Sequence, residues 1–139
     1  MTSVPDHYFD QSAVVPFRLH GEAPEILLIS SRKKKRWVVP KGVKELDLSA
    51  EESAAKEALE EAGIEGTVLP GAIGRYEYEK WGGTCRVEVF AMSVETVHDE
   101  WLESQRDRVW LSIVEASGRV DEAALKEMIR SITDVIENR

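Results

Sequence analysis

The sequence predicts an α/β domain in which many short strands accompany a few helices. Two observations concern pattern: short extended segments separated by turn residues fill most of the chain, and two longer segments have helical periodicity. The third is size and composition, because 139 residues with 42% hydrophobic and 32% charged side chains are typical of one globular domain with its own core. We therefore expect residues 1–139 to form a single domain, with residues 1–10 as a loose N-terminal segment.

The extended segments are apolar or alternating runs that end at turn residues. Residues 12–19 form the first, and Pro16 within it is typical of an edge strand or a bulge. Later strands are expected at residues 25–30, 36–39, 67–69, 73–80, 85–94 and 108–111. Residues 81–84, Trp-Gly-Gly-Thr, predict a hairpin turn between two of these strands, and residues 113–116 predict a short helical turn.

The first helix is predicted over residues 50–62 by signals at both ends. Ser49 and Glu52 match a capping box, in which each side chain satisfies a backbone N–H at the helix start. Gly63 stands where a left-handed residue ends a helix. An apolar stripe rich in alanine would let this helix approach a sheet closely, and it consists of Ala54, Ala55, Ala58, Leu59 and Ala62.

The final helix is predicted over residues 121–137, with Asp121 as its N-cap. Apolar residues recur at helical spacing and predict an inner face made of Ala124, Leu125, Met128, Ile129, Ile132 and Ile136. Such a face is typical of a helix that covers a hydrophobic core.

Three glutamates, Glu57, Glu60 and Glu61, lie within an arc of about 100° at the end of the first helix. Like charges at these spacings destabilise a helix by roughly 0.2–0.5 kcal/mol per pair, and the helix dipole adds a penalty at the C-terminal end. A bound cation would remove both penalties, and magnesium prefers carboxylate oxygens while keeping waters for a phosphate ligand. The alternative is a solvated charged face, because glutamate is also a good helix former.

The segment around these glutamates resembles the Nudix box, whose pattern is G-x5-E-x7-R-E-U-x-E-E-x-G-U with U aliphatic. With Ala58 as a small residue at the first U, the matching positions are Gly42, Glu57, Glu60, Glu61, Gly63 and Ile64. Two positions depart from the pattern, since Leu48 replaces the first glutamate and Lys56 replaces the arginine. In the family these two polar positions support the loop–helix geometry, so the departures concern loop rigidity and rate. A Glu52–Lys56 pair is expected as a weak substitute.

The resemblance extends over residues 12–116, to the subgroup of diphosphoinositol polyphosphate and diadenosine polyphosphate phosphohydrolases. It implies an α/β/α sandwich with a mixed β-sheet flanked by helices. It also implies hydrolysis of a diphosphate linkage with magnesium or manganese, held by the three box glutamates and the backbone carbonyl near Gly42. The box glutamates would then be the catalytic residues, and one of them or Glu79 would take the proton of the attacking water.

A second hypothesis is a Nudix-fold binding module that recognises a phosphorylated ligand without cleaving it. The departures at Leu48 and Lys56 favour this alternative. Substrate choice is also open, because inositol and nucleotide substrates both need cations and a metal. The sequence therefore predicts the type of linkage that is recognised and not the molecule that carries it.

A net charge of −8 argues against binding of nucleic acid, whose backbone attracts basic surfaces. A phosphorylated small molecule then needs a locally positive path, and residues 32–36 supply five consecutive cations before the box. These cations are either a solvated loop or a surface that collects phosphate groups. The individual candidates for substrate binding, each otherwise a surface cation, are Arg18, Arg36, Lys41 and Arg86.

Cys85 is the single cysteine, which excludes an internal disulfide and favours a reducing cytoplasm. No apolar run reaches the roughly 18 residues of a membrane helix, and the first ten residues lack the layout of a signal peptide. We therefore expect a cytoplasmic protein with a small-molecule phosphorylated substrate and neither nucleic acid nor membrane as partner. The sequence leaves the oligomeric state open.

Overall fold

The computed structural model describes residues 4–138, which form a mixed β-sheet with helices on both faces. The strands are β1 (Asp10–His20), β2 (Ala23–Ser30), β3 (Trp37–Val38), β4 (Lys41–Val43), β5 (Ile64–Val68), β6 (Gly74–Lys80), β7 (Gly83–Val97) and β8 (Arg108–Ser112). The helices are α1 (Ala50–Glu57), which continues as a π-helical turn over Ala58–Ala62, then α2 (Ile113–Arg119), α3 (Ala123–Arg130) and α4 (Ile132–Glu137). A 3₁₀ helix, Asp6–Phe9, precedes β1.

Two long strands, β1 and β7, run parallel to each other through the centre of the sheet. The other pairings among the described strands are antiparallel: β2 and β4 pair with β1, β3 and β8 pair with β2, and β5 and β6 pair with β7. The register of the central pair places Asp10 beside Arg86 and Phe17 beside Ser93. The expectation of a mixed sheet is therefore confirmed.

β1 changes its partner along one side, and Pro16 lies at the change. Residues 11–13 pair with β4, and residues 17–20 pair with β2. Because proline has no N–H to donate to a ladder, the interval between two partners accommodates it within a central strand. The expectation of an edge strand at Pro16 is therefore wrong.

The sheet separates two hydrophobic layers. On one face, Ala54, Ala58 and Ala62 of α1 are fully buried against strand residues that include Val14 and Phe90. The other face is covered by the C-terminal helices through Leu125, Met128, Ile129 and Ile132. Alanine side chains let α1 approach the sheet closely, as the sequence indicates. The predicted α/β/α sandwich is confirmed.

Both predicted helices differ in detail from expectation. Leu59, predicted within the apolar stripe of α1, is 39% exposed and lies in the π-helical turn. The C-terminal helix is interrupted at Ser131, so α3 and α4 are separate. Asp121 is not an N-cap, because Glu122 occupies that position without a side-chain cap bond. Asp121 instead accepts a hydrogen bond from Arg36.

The N-terminal segment is folded in its described part. The rings of Tyr8 and Phe9, in the 3₁₀ helix, pack on Trp81, with centroid distances of 5.6 and 6.0 Å. Of the segment 1–10 that was expected to be loose, residues 6–9 form this 3₁₀ helix, and residues 1–3 lie outside the described part of the chain. The sequence also gave no sign of β4, which is too short to carry a periodic pattern. No helix within residues 4–138 is long and apolar enough to cross a membrane.

Candidate active site

A cleft of about 640 Å³ lies beside the end of α1, within the size range of small-molecule sites. Its acidic lining residues are Glu45, Glu57 and Glu61, and its basic lining residues are Arg32, Arg36, Lys41, Lys56, Lys80 and Arg106. Its ring-bearing residues are His7, Tyr8, Tyr78 and Trp81. The cleft therefore joins the predicted box to the 3₁₀ helix and to the β6–β7 hairpin.

Local sequence determines how α1 begins and ends. The Ser49 hydroxyl accepts the backbone N–H of Glu52 at 3.0 Å, and the Glu52 carboxylate accepts the N–H of Ser49 at 2.8 Å, so the predicted capping box is formed. The helix ends at Gly63, whose φ of 66° is in the left-handed region. A Cβ at Gly63 would lie 2.7 Å from Cγ of Trp101, so packing also requires glycine here.

The π-helical turn at the end of α1 separates the three glutamates of the box. Glu57 and Glu61 line the cleft, whereas Glu60 is not among its lining residues. The Glu61 side chain is 10% exposed and the Glu60 side chain is 33% exposed, so these consecutive glutamates lie in different surroundings. The Glu60 carboxylate lies at the edge, 4.0 Å from Lys56 Nζ.

The Glu57 carboxyl group lies against the backbone of β4. A Cβ at Gly42 would lie 2.3 Å from both Cδ and Oε1 of Glu57, so a larger residue would displace the carboxyl group. Gly42 is also paired with Ser12 of β1, which holds this part of β4 in the sheet. The structure thus brings together two residues that the box pattern places fifteen positions apart.

Glu61 is buried, and its carboxyl group has two partners, a backbone N–H and an arginine. The backbone N–H of Lys41 donates to Oε1 at 3.1 Å, and Arg106 Nη2 lies 3.7 Å from Oε2. Arg106 is itself buried and donates to the Ser30 carbonyl at 3.0 Å. It also pairs with Glu103 at 3.0 Å, so one cation joins two acidic side chains.

Burial raises the pKa of Glu57 and that of Glu61 from 4.5 to about 7. The neighbouring carboxylates of Glu61 and Glu60 raise the pKa of Glu57 further. For Glu61, burial outweighs Arg106 and the Lys41 N–H, both of which lower its pKa. Without a bound ion, these two neighbouring carboxyl groups resist ionisation. A hard divalent cation would favour their charged forms, so the pair is suited to binding one.

The predicted set of three carboxylate ligands is not assembled here. Over the described range 4–138, no three acidic, histidine or cysteine side chains lie close enough together to hold a metal ion. Glu57 and Glu61, with the backbone of Gly42 beside them, form the core of a donor set that water and substrate oxygens would complete.

An ion pair stands beside the two departures from the box pattern. Lys56 Nζ lies 2.5 Å from Oε2 of Glu45. Lys56 was expected to pair with Glu52, but that carboxylate is held by the helix cap. The N–H of Glu45 donates to Ser53 Oγ at 3.0 Å. Glu45 therefore ties the loop to α1. It lies three positions before Leu48, which is the position of the first glutamate in the family pattern.

Two of the four cations predicted to bind substrate lie outside the lining of the cleft. Arg18 pairs with Glu25 on the neighbouring strand at 2.9 Å, and its guanidinium lies 4.0 Å from the Trp110 ring centroid. Arg86 pairs with Asp10 on β1, also at 2.9 Å. Each arginine thus has a cross-strand carboxylate partner, which the sequence pattern did not reveal.

The other two predicted cations, Arg36 and Lys41, do line the cleft. Arg36 lies 3.3 Å from Asp121 and 3.2 Å from Glu122, so its charge is already partnered. Burial lowers the pKa of Lys41, which has no such carboxylate partner among residues 4–138. Glu79, the second candidate for a base, is exposed on β6 and is not a lining residue.

The run of cations at residues 32–36 is more neutral than it looks in the sequence. Arg32 lies 3.7 Å from Glu103, and Lys34 lies 3.5 Å from Asp107. Together with the pairs of Arg36, three of the five cations have carboxylate partners. This reduces the positive potential that the run offers to an approaching anion.

A chain of hydrogen bonds connects Glu61 with the far end of the cleft. Lys41, which holds Glu61 by its backbone, donates from Nζ to Tyr78 Oη at 3.0 Å. Tyr78 Oη donates to Gln11 Oε1 at 2.7 Å, and Gln11 Nε2 donates to the Tyr8 carbonyl at 3.3 Å. Burial raises the pKa of Tyr78 to about 12, so its hydroxyl keeps its proton at neutral pH.

Sequence reasoning missed Arg106, Tyr78 and Trp81 as site residues. Arg106 lies in the loop before β8, outside any motif, and nothing in its local sequence indicates its contact with Glu61. Trp81 did carry a signal, because a large aromatic residue is unusual in a two-residue hairpin turn.

The fold and the cleft together define an α/β/α sandwich protein whose glutamate-bearing helix end faces a site suited to an anionic small molecule and a cation. A family model for the NUDIX domain matches residues 9–132. The chain therefore belongs to the Nudix family, as its box indicates.

Curated relatives support the same membership. "Nudix hydrolase 21, chloroplastic" from Arabidopsis thaliana is 36% identical over 124 residues, which are 84% of this chain and 62% of that protein. "Diphosphoinositol polyphosphate phosphohydrolase 3-alpha" from Mus musculus is 31% identical over 115 residues, which are 81% of this chain and 69% of that protein. The chain thus spans about three fifths of the length of several plant relatives that it matches.

The fold is also similar to a solved structure, that of a C. elegans Ap4A hydrolase binary complex. The TM-score is 0.74, and the alignment covers 94% of this chain and 98% of that chain. Sequence identity is 20%, so this likeness concerns the fold.

Proposed function

We propose that this protein hydrolyses a diphosphate linkage in a nucleoside polyphosphate or a diphosphoinositol polyphosphate, with magnesium or manganese as cofactor. One observation carries the proposal: Glu57 and Glu61 line the same cleft, with the Glu57 carboxyl group against the backbone of Gly42. Burial there raises the pKa of both carboxyl groups to about 7. Protein structure alone leaves these carboxyl groups poorly stabilised as anions, so a divalent cation would complete the site. The hydrolase names of the relatives agree with this proposal.

Six residues in or beside the cleft have a role in this proposal. Glu57 and Glu61 would hold the cation together with backbone oxygen at Gly42, and Glu60 remains a predicted ligand at the edge. A bound cation would supply charge neutralisation of the diphosphate and activation of water. Lys41 offers an ammonium group for a phosphate oxygen, and Arg106 keeps Glu61 in position. One of the box glutamates would accept the proton of the attacking water.

The test is release of phosphate from a panel of dinucleoside polyphosphates, nucleoside diphosphate derivatives and diphosphoinositol polyphosphates with magnesium. Glu57→Gln and Glu61→Gln should each reduce kcat by about a hundredfold or more, since each removes a charge from the site. Glu79→Gln is the matched control, because that carboxyl group is exposed and outside the cleft. Normal rates in both cleft variants would contradict the site assignment.

The second candidate function is a binding module without turnover, and the altered loop–helix connection favours it. Lys56 pairs with Glu45 because Leu48 offers no carboxylate, so the geometry of the loop can differ from that of an active box. Calorimetry that finds tight binding of a phosphorylated ligand, with phosphate release at background, would select this alternative.

The wider context of the protein also belongs to this proposal. We infer a single domain that acts on a small phosphorylated molecule, with no affinity for nucleic acid, in the cytoplasm. The net charge of −8 supports the absence of affinity for nucleic acid. The chloroplastic and mitochondrial locations in the names of plant relatives are properties of those proteins.

A further inference from the structure

Three ring-bearing side chains form a wall of the cleft that the proposed hydrolysis does not use. His7, Tyr8 and Trp81 all line the cleft and are half-buried, and we call them the aromatic wall. The ring centroids of Tyr8 and Trp81 lie 5.6 Å apart, and those of His7 and Tyr8 lie 5.1 Å apart. The wall thus combines the 3₁₀ helix with the β6–β7 hairpin, two elements distant in sequence.

Trp81 has a backbone conformation that is unusual for tryptophan, which points to a ligand-binding role for its side chain. Trp81 and Gly82 form a two-residue hairpin turn in which both residues have positive φ, 55° and 74°. Asparagine and glycine are the residues that favour such a turn, and a bulky side chain in this region is a genuine outlier. Strained residues of this kind cluster at ligand sites, because function can outweigh their cost.

Neighbouring residues hold the aromatic wall in place. Phe9 packs edge-on against Trp81, with a centroid distance of 6.0 Å and an interplanar angle of 80°. The Lys80 ammonium lies 4.5 Å from the centroid of the Trp81 ring, which leaves a charge beside the ring. The hydrogen-bond chain through Lys41, Tyr78 and Gln11 connects Tyr8 to Glu61. Because the aromatic wall lines the same cleft as Glu57 and Glu61, one extended ligand can contact both.

The basic residues of the cleft are mostly partnered. Four of the six lie within 4.0 Å of a carboxylate, namely Arg32, Arg36, Lys56 and Arg106. Within residues 4–138, Lys41 and Lys80 have no carboxylate at that distance. A densely phosphorylated inositol needs many available cations and offers no aromatic face, whereas a nucleobase stacks on aromatic rings.

We propose that the aromatic wall stacks the base of the substrate, so that the substrate class is a nucleoside polyphosphate and not a diphosphoinositol polyphosphate. Cleavage of such a substrate rests on the proposed function, whereas stacking of its base on the aromatic wall does not. The diphosphate would lie at Glu57 and Glu61, with Lys41 beside it, and the base would lie on Trp81 and Tyr8.

The kinetic test uses Trp81→Asn, which removes the ring but introduces a residue that this turn favours, so folding is protected. Rates are measured with magnesium on a dinucleoside polyphosphate and on inorganic tripolyphosphate, which has no base. The ratio of kcat/KM for the first over the second should fall about ten- to a hundredfold in the variant. Trp81→Phe, which keeps a ring, should retain most of that ratio. An unchanged ratio in Trp81→Asn, or a wild-type preference for diphosphoinositol polyphosphate, overturns the proposal.

A binding test separates this inference from the proposed function. Calorimetry with ADP is performed on the whole protein in EDTA, where no hydrolysis is needed. Wild type should bind ADP more tightly than Trp81→Asn and than Tyr8→Leu by about tenfold or more. If ADP binding follows the wall while no substrate is cleaved, the hydrolase proposal fails and the inference holds. Equal affinity in wild type and both variants overturns the inference even where hydrolysis is normal.

Discussion

Burial of Glu61 should make the metal-free protein less stable as pH rises. Its pKa is raised from 4.5 to about 7, so between these values the folded state keeps a proton that the unfolded state releases. For this group, stability is full below pH 4.5 and falls as pH rises through about 7. The total effect is roughly 3 kcal/mol, of which about 2 kcal/mol falls between about pH 5.5 and about pH 8.

The measurement is urea unfolding in EDTA at those two pH values. Wild type should lose more stability between them than Glu61→Gln, whose side chain does not titrate, and the difference should be about 2 kcal/mol. Glu79→Gln, on the exposed side of the hairpin, should follow wild type. Magnesium should stabilise wild type at the higher pH and Glu61→Gln much less, because binding to the folded state adds stability. Identical pH dependence in wild type and Glu61→Gln would refute the reasoning.

Three further outcomes follow from the contacts around α1. Gly42→Ala should reduce the proposed hydrolysis by about a hundredfold or more, because the new Cβ would lie 2.3 Å from the Glu57 carboxyl group. Steady-state kinetics with a circular dichroism control tests this, and a near-normal kcat would contradict it. Glu45→Gln and Lys56→Met should lower kcat by the same factor as each other, because each removes the same ion pair. The double variant should have a kcat no lower than either single variant, and additive losses would show that the two residues are not coupled. Gly63→Ala should lower thermal stability by more than Gly21→Ala does. Both glycines have a left-handed φ, which costs alanine roughly 1–2 kcal/mol, but only a Cβ at Gly63 would meet another side chain. Equal melting temperatures of the two variants would argue against tight packing at Gly63.

Features that depend on neighbours in sequence were predictable. Ser49 and Glu52 form the expected cap, and Gly63 ends the helix in the left-handed conformation, because each effect acts within one helical turn. The alanine stripe likewise predicted that α1 packs closely on the sheet, whereas the layer order was implied by the family resemblance. Gly42 and Glu57 came together because a long motif carries the geometry of its family with it.

Features that depend on the packed structure were not predictable. Glu61 lines the cleft and Glu60 does not, and this difference depends on how the end of α1 packs. The π-helical turn there also departs from the pattern of 3.6 residues per turn that the sequence suggests. Arg18 and Arg86 looked like available cations, yet strand register gives each a carboxylate. Arg106 contacts Glu61 from a loop that lies 45 residues further along the chain, and no local sequence pattern indicates that contact.

The parallel pairing of β1 with β7 has a consequence for biosynthesis. Asp10 and Arg86, which contact each other at one end of this pair, are 76 residues apart in sequence. Closing so large a loop is entropically unfavourable, and dominance of such distant contacts slows folding. A nascent chain that has emerged only as far as β6 can pair one side of β1 with β2 and β4, and the amides on the side that β7 covers stay unpaired. Such an unpaired strand edge is prone to aggregation during synthesis, and holdase chaperones would be expected to recognise it.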